Sequence, residues 1–131
     1  MKSRDNLLRL KHFQVQDKTR QLAQIDMMIA EFQRMSSDLL AQIEIEEKKA
    51  GIMDINHFAY PTFAKAARTR VDNLAVSIRD LEEKRVPADE ALKEAEEELK
   101  KAELKEARDG NSTEITEPVV DAMVERRMMI G

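Results

Sequence analysis

From residue 5 to residue 49 the chain carries neither glycine nor proline, and its apolar residues recur at alternating spacings of three and four. Leu8, Val15, Leu22, Ile29, Ser36 and Ile43 share one heptad position. Ile25, Phe32 and Leu39 hold the position three further on, and Met28 and Met35 widen the stripe. This pattern predicts a helix over about residues 4–50 that packs along its length on another helix. Such a helix spans about 65–70 Å, and Ser3 or Asp5 caps its start. Lys11 and Lys18 fall on seam positions, where their stems cover the seam and their charges reach water. That end is expected to be the looser one.

A second heptad run follows. Val71, Ile78, Leu92 and Leu99 hold one position, interrupted by Arg85; Ala67, Leu74, Leu81, Ala88, Ala95 and Ala102 hold the other. It predicts a helix from about Pro61, a residue suited to a first turn, to about Arg108. Pro87 lies inside the run without shifting its phase. That predicts a kink or brief break rather than a new domain, and Arg85 makes this the weakest part of the second helix. Two long amphipathic helices joined by a short connection, residues 51–60, fold back as antiparallel neighbours. The expected fold is therefore all-α: a long antiparallel two-helix coiled-coil hairpin over residues 1–108. In that register Ile43 faces Ala67 and Val71, Phe32 faces Ile78 and Leu81, and Val15 faces Ala95 and Leu99.

Charge favours the same register. Residues 1–20 hold six basic and two acidic side chains, and residues 82–108 hold ten acidic and seven basic. Each exposed pair is worth only about 0–1 kcal/mol, but the summed sign prefers this pairing to a parallel self-dimer. Gly110 is the expected stop of the second helix. Residues 109–131 read as a flexible tail, in which Pro118 opens a short helix over 118–129. Val120, Met123, Val124 and Met128 form its apolar face. Two readings of it stand: a terminal helix that frays, and a docking helix for a partner.

Composition narrows the function. Charged residues make up 37% of the 131 and aromatics only 4%, close to a long-helix profile. There is no cysteine, so disulfides and thiolate metal sites are excluded. His12 and His57 lie far apart without metal-ligand spacing, and no glycine-rich phosphate loop is present. A two-helix hairpin offers no concave pocket for catalysis. The chain is read as a non-enzyme with no cofactor and no metal. The net charge of −4 gives no general drive toward nucleic acid. The N-terminus has no apolar run for a signal peptide or membrane span, so a soluble, intracellular protein is expected.

The stretch GIMDINHFAYPTFAKAA, residues 51–67, concentrates three of the chain's five aromatics, Phe58, Tyr60 and Phe63, at the bend. Phe63, with Phe58, is expected to plug the open end of the seam against Ile43, Ile52 and Ile55. Tyr60 precedes a proline, which pushes it to an extended conformation. It is expected to stay exposed and, with Phe58, to anchor a partner protein, since aromatics dominate interface hot spots.

Three stretches go further. MKSRDNLLRLKHFQV, QLAQIDMMIAEFQRM and HFAYPTFAKAARTRVDNL resemble the alphaproteobacterial form of the flagellar type III export protein FliJ family, over about residues 1–105. The resemblance implies an antiparallel two-helix coiled coil similar to the central stalk of rotary ATPases. It implies a non-enzymatic, cytoplasmic protein at the flagellar base, on the inner face of the cytoplasmic membrane, attached only peripherally through the export apparatus. Implied partners are the export ATPase ring, the cytoplasmic domain of the export gate and export chaperones. The terminal end, with Lys2, Arg4, Leu7, Leu8, Arg9, Lys11 and Phe13, would enter the ring. The bend, with Phe58, Tyr60 and Phe63, would face the gate. Pro87 and the tail depart from the family's pattern. A monomer is expected. Two other readings of the hairpin stand beside this one: a prefoldin-like holdase, against which the short connector without strand alternation counts, and a coiled-coil scaffold that self-associates.

Overall fold

The computed structural model describes residues 2–116. They form two helices, α1 (Lys2–Ala50) and α2 (Thr62–Thr116), with no strand among the described residues. α1 and α2 pack against each other in antiparallel fashion. Their contacts divide the chain into two compact units: Arg20–Glu90, and Met1–Thr19 with the chain from Ala91 onward.

Local chemistry sets the ends of α1. Asp5 lies in its first turn and Lys48 and Lys49 in its last, each sign opposing the partial charge of that helix end. The helix stops at Gly51, whose φ of 72° lies in the left-handed region that glycine enters without a Cβ penalty. The Gly51 N–H still donates to the Glu47 carbonyl at 2.8 Å, closing the last turn. The connector is a run of tight turns. Asn56 N–H donates to the Asp54 carboxylate at 2.9 Å, and the N–H of His57 and Tyr60 each reach a carbonyl three residues back at 3.0 Å. Pro61 then offers its carbonyl to Lys65 N–H at 3.0 Å and opens α2.

In the Arg20–Glu90 unit the expected register holds where the two runs meet. Ile43 lies in one cluster with Ala67, and Val71 packs against that cluster. Leu22, Ile25, Ile29, Phe32 and Leu39 are half-buried, while Leu74 and Leu81 across the seam are buried. Arg85 stands across from Asp26, which accepts from its Nε at 2.5 Å and its Nη2 at 3.2 Å. The arginine expected to weaken α2 thus makes a two-pronged bond to α1. In the other unit Ala95 is buried, with Val15, Leu99 and Ala102 half-buried, and Lys11 Nζ meets Glu98 at 2.9 Å.

Burial is uneven for a physical reason. A helix with one neighbour covers only part of each seam residue, so most stay half-exposed. Full burial is reached where a third element joins. Ile43 and Ala64, at 1% and 0% exposed, lie where Ile52, Ile55 and Tyr60 of the connector fold over the helices.

Of the kink or brief break expected at Pro87, the break does not occur: α2 continues through it as one helix. One feature differs from the sequence expectation: α2 passes Arg108 and Gly110 to reach Thr116. A glycine ends a helix by turning left-handed, and among the described residues only Gly51 has a positive φ. The remainder of the expected tail, with its helix over 118–129, lies outside the described residues. No helix among the described residues is long and apolar enough to cross a membrane.

Candidate functional site

Two surfaces carry the residues singled out in the sequence. The first lies on the unit that holds the start of α1. Lys2 begins the helix. Arg4 and Lys11 do not form a free basic patch, because α2 occupies both. Arg4 Nε and Nη1 lie 3.3 Å from Glu106 and Asp109, and Lys11 meets Glu98. His12 adds a 3.6 Å contact with Glu103. Among the described residues Arg9 bonds only the neutral Asn6 amide, at 3.4 Å, and no carboxylate. Leu8 is half-buried on the seam, whereas Leu7 and Phe13 are exposed. Leu10 is exposed between them at 49% and belongs to the same band. Sequence reasoning missed it; the signal was a leucine off the heptad seam, three residues from each of the other two.

The second surface is the connector, and here the aromatic assignments change. Tyr60 is not exposed. It is 6% accessible and joins Ile43, Ala64 and Ala67 in the core, with Ile52 and Ile55 packed alongside. The ring lies inward over the seam, and its hydroxyl finds a polar partner there. Tyr60 OH donates to Glu47 Oε2 at 2.6 Å. Arg68 donates from Nη2 to the same oxygen at 2.9 Å and from Nε to the Tyr60 hydroxyl at 3.1 Å. The buried phenol is therefore satisfied, as buried polar groups require. Phe63 does not plug the seam; it stays half-exposed and borders a shallow groove with Gln42, Ile45 and Glu46. Phe58 is 96% exposed and stacks on the His57 ring at 4.8 Å.

The Glu47–Tyr60–Arg68 cluster has a defined electrostatic character. The Tyr60 hydroxyl, and then the Arg68 guanidinium, hold the Glu47 carboxyl below the usual range. The same contacts, Glu47 first, raise Arg68. A carboxyl whose folded pKa lies below its unfolded one adds stability above the unfolded value and loses it as pH falls through the folded one. Asp26, lowered by its hydrogen bond to Arg85, acts in the same direction. Stability is expected to decline on acidification below about pH 4.3, the unperturbed glutamate value. Urea midpoints across that range should show a smaller acid-dependent loss in Glu47→Gln than in the parent. Equal losses would mean that the cluster does not control this titration.

Among the described residues no three His, Cys, Asp or Glu side chains gather to hold a metal ion. What both surfaces offer is contact area: an apolar band with the Arg9 guanidinium on one, and an exposed stacked phenylalanine beside a groove on the other. No protein-family model, curated protein or solved structure matches this chain.

Proposed function

We propose that this chain is a non-enzymatic component of flagellar type III protein export that couples the export ATPase to the export gate and assists delivery of chaperones and their cargo. The observation that carries the reading is the antiparallel helical pair formed by a sequence whose N-terminal and bend segments resemble the FliJ family. Two exposed contact surfaces on separate units support a protein that engages two partners. In this reading Leu7, Arg9 and Phe13 face the ATPase ring, with Lys2, Arg4 and Lys11 contributing charge. A ring surface that recruits Arg4 or Lys11 competes with Glu106, Asp109 and Glu98, so these two serve encounter rate and salt dependence more than affinity. Phe58 and Phe63 face the gate, and Tyr60 supports them from beneath. The protein works in the cytoplasm at the flagellar base, as a monomer attached through its partners.

The test is steady-state ATP hydrolysis by the cognate export ATPase, titrated with the purified chain. A saturable rise in rate is expected. Phe13→Ala combined with Arg9→Glu should weaken it by about thirtyfold in apparent affinity, the effect of losing a hot spot worth about 2 kcal/mol. Phe58→Ala should leave it unchanged and instead weaken binding to the gate's cytoplasmic domain. Absence of both a rate increase and any binding to the ATPase would overturn the proposal.

A further inference from the structure

The seam between the helices changes chemistry along its length. One heptad position of α1 reads Arg4, Lys11, Lys18, Ile25, Phe32 and Leu39. On α2 the two seam positions hold Leu99 and Ala102 and, seven residues later, Glu106 and Asp109. Toward the start of α1, then, cations replace apolar residues on one helix and carboxylates replace them on the other. The structure brings these groups together. Arg4 lies 3.3 Å from both Glu106 and Asp109, and Lys11 lies 2.9 Å from Glu98.

Burial follows the same division. In the Arg20–Glu90 unit Ile43, Tyr60, Ala64, Ala67, Leu74 and Leu81 are buried. Among the described residues of the other unit only Ala95 is buried, while Leu8, Val15 and Leu99 are half-buried. A methyl group removes little apolar surface from water, so the cross-helix charges carry a larger share of the closure there. Each partly exposed pair changes an opening equilibrium by at most about fivefold. Glu106 Oε1 adds a cost: it is buried and, among the described residues, accepts no hydrogen bond despite its closeness to Arg4. These attractions are also screened, over about 10 Å at 0.1 M salt and about 3 Å at 1 M.

We propose that Arg4 and Lys11 with Glu98, Glu106 and Asp109 form an ionic clasp that lets the unit holding the start of α1 open by itself, to an extent set by ionic strength, while the Arg20–Glu90 unit stays closed. Local opening of this kind is drawn from the regions with the fewest buried apolar contacts. Opening releases the two cations and uncovers Leu8, Val15 and Leu99. An acidic surface that takes up Arg4 and Lys11 therefore shifts the unit toward its open form. The clasp stands whether or not the export reading holds.

The chain has no cysteine, so Ala95→Cys and Ala67→Cys each place a single thiol at a buried seam position, one in each unit. Alkylation by iodoacetamide, a neutral reagent, is measured on each full chain from about 0.1 M to about 1 M sodium chloride, relative to the same thiol in the urea-unfolded chain. Labelling of Ala95→Cys is expected to rise about tenfold over that range, the combined effect of the screened pairs, and labelling of Ala67→Cys to change less than about twofold. Arg4→Leu with Lys11→Leu, added to Ala95→Cys, should flatten the salt dependence at a rate still well below that of the unfolded chain. Exchanging a pair, Lys11→Glu with Glu98→Lys, should keep the dependence. A salt-independent rate for Ala95→Cys would overturn the proposal. Matching rates and salt dependence at the two thiols would also overturn it, because the helices would then separate as one unit. So would a dependence that survives the double leucine substitution, since other charges would then hold the unit closed.

Discussion

Replacing Tyr60 with alanine is expected to lower the unfolding free energy by about 3–5 kcal/mol, the range for deleting a buried large aromatic side chain. Tyr60 is 6% exposed and closes the cluster around Ile43, Ala64 and Ala67. Its loss opens a cavity at the most completely buried point of the hairpin. It also removes the hydroxyl that bonds both Glu47 and Arg68, leaving Glu47 as a buried carboxylate with one donor fewer. Tyr60→Phe separates these contributions. It keeps the ring and deletes only the hydroxyl, so about 1.5–3 kcal/mol should be lost, the range for a hydrogen bond to a charged group, since Glu47 still accepts from Arg68. Phe58→Ala, two residues away, should change stability by less than about 0.5 kcal/mol, since Phe58 is 96% exposed. Urea unfolding followed by helical circular dichroism measures all three. A cost below about 1 kcal/mol for Tyr60→Ala, no more than an average substitution, would mean that the connector unfolds separately from the helices it covers.

The contrast between these two aromatics shows which part of the fold the sequence can carry. Heptad spacing repeats over many turns, so the seam residues from Leu8 to Ile43 and from Ala67 to Ala102 could be picked out one by one, and with them the antiparallel register. The connector has no repeat. An extended backbone at Tyr60 follows from Pro61, but the direction of the ring depends on where the last turn of α1 presents Glu47 and where the second turn of α2 presents Arg68. Glu47 sits next to a seam position and reads as an ordinary surface acid. Only the tertiary fold brings it within 2.6 Å of a phenol 13 residues on in the chain. The same limit applies to Arg85. In a seam position it reads as a defect, and its partner Asp26, on the other helix, shows why it is tolerated.

The candidate surfaces were partly legible for the same reason. Leu7 and Phe13 lie off the seam, so their exposure follows from the heptad phase; Leu10 followed from the same logic and was passed over. The basic character of the N-terminal turns was visible as composition. Its partial neutralisation by Glu98, Glu106 and Asp109 depends on individual geometry across two helices. Among the described residues this surface is therefore an apolar band beside an Arg9 guanidinium that meets no carboxylate, rather than a uniformly basic stripe.

Pro87→Ala is expected to stabilise the protein by about 2–3 kcal/mol. A proline in a helix interior lacks the N–H that would bond the carbonyl four residues earlier, and its ring presses on that carbonyl, at a cost of about 3 kcal/mol. Here the carbonyl belongs to Glu83, and α2 runs on through Pro87 without ending. The side chain is exposed, so alanine removes no buried contact. One effect opposes the gain: alanine frees the unfolded chain, returning about 0.4–1 kcal/mol. The Asp26–Arg85 bond lies within a turn of the substitution, and it should persist and tighten as the helix regularises. Thermal and urea unfolding of Pro87→Ala beside the parent measure the gain. No gain would mean that α2 already accommodates the ring by bending there, with Arg85 holding the bend against α1.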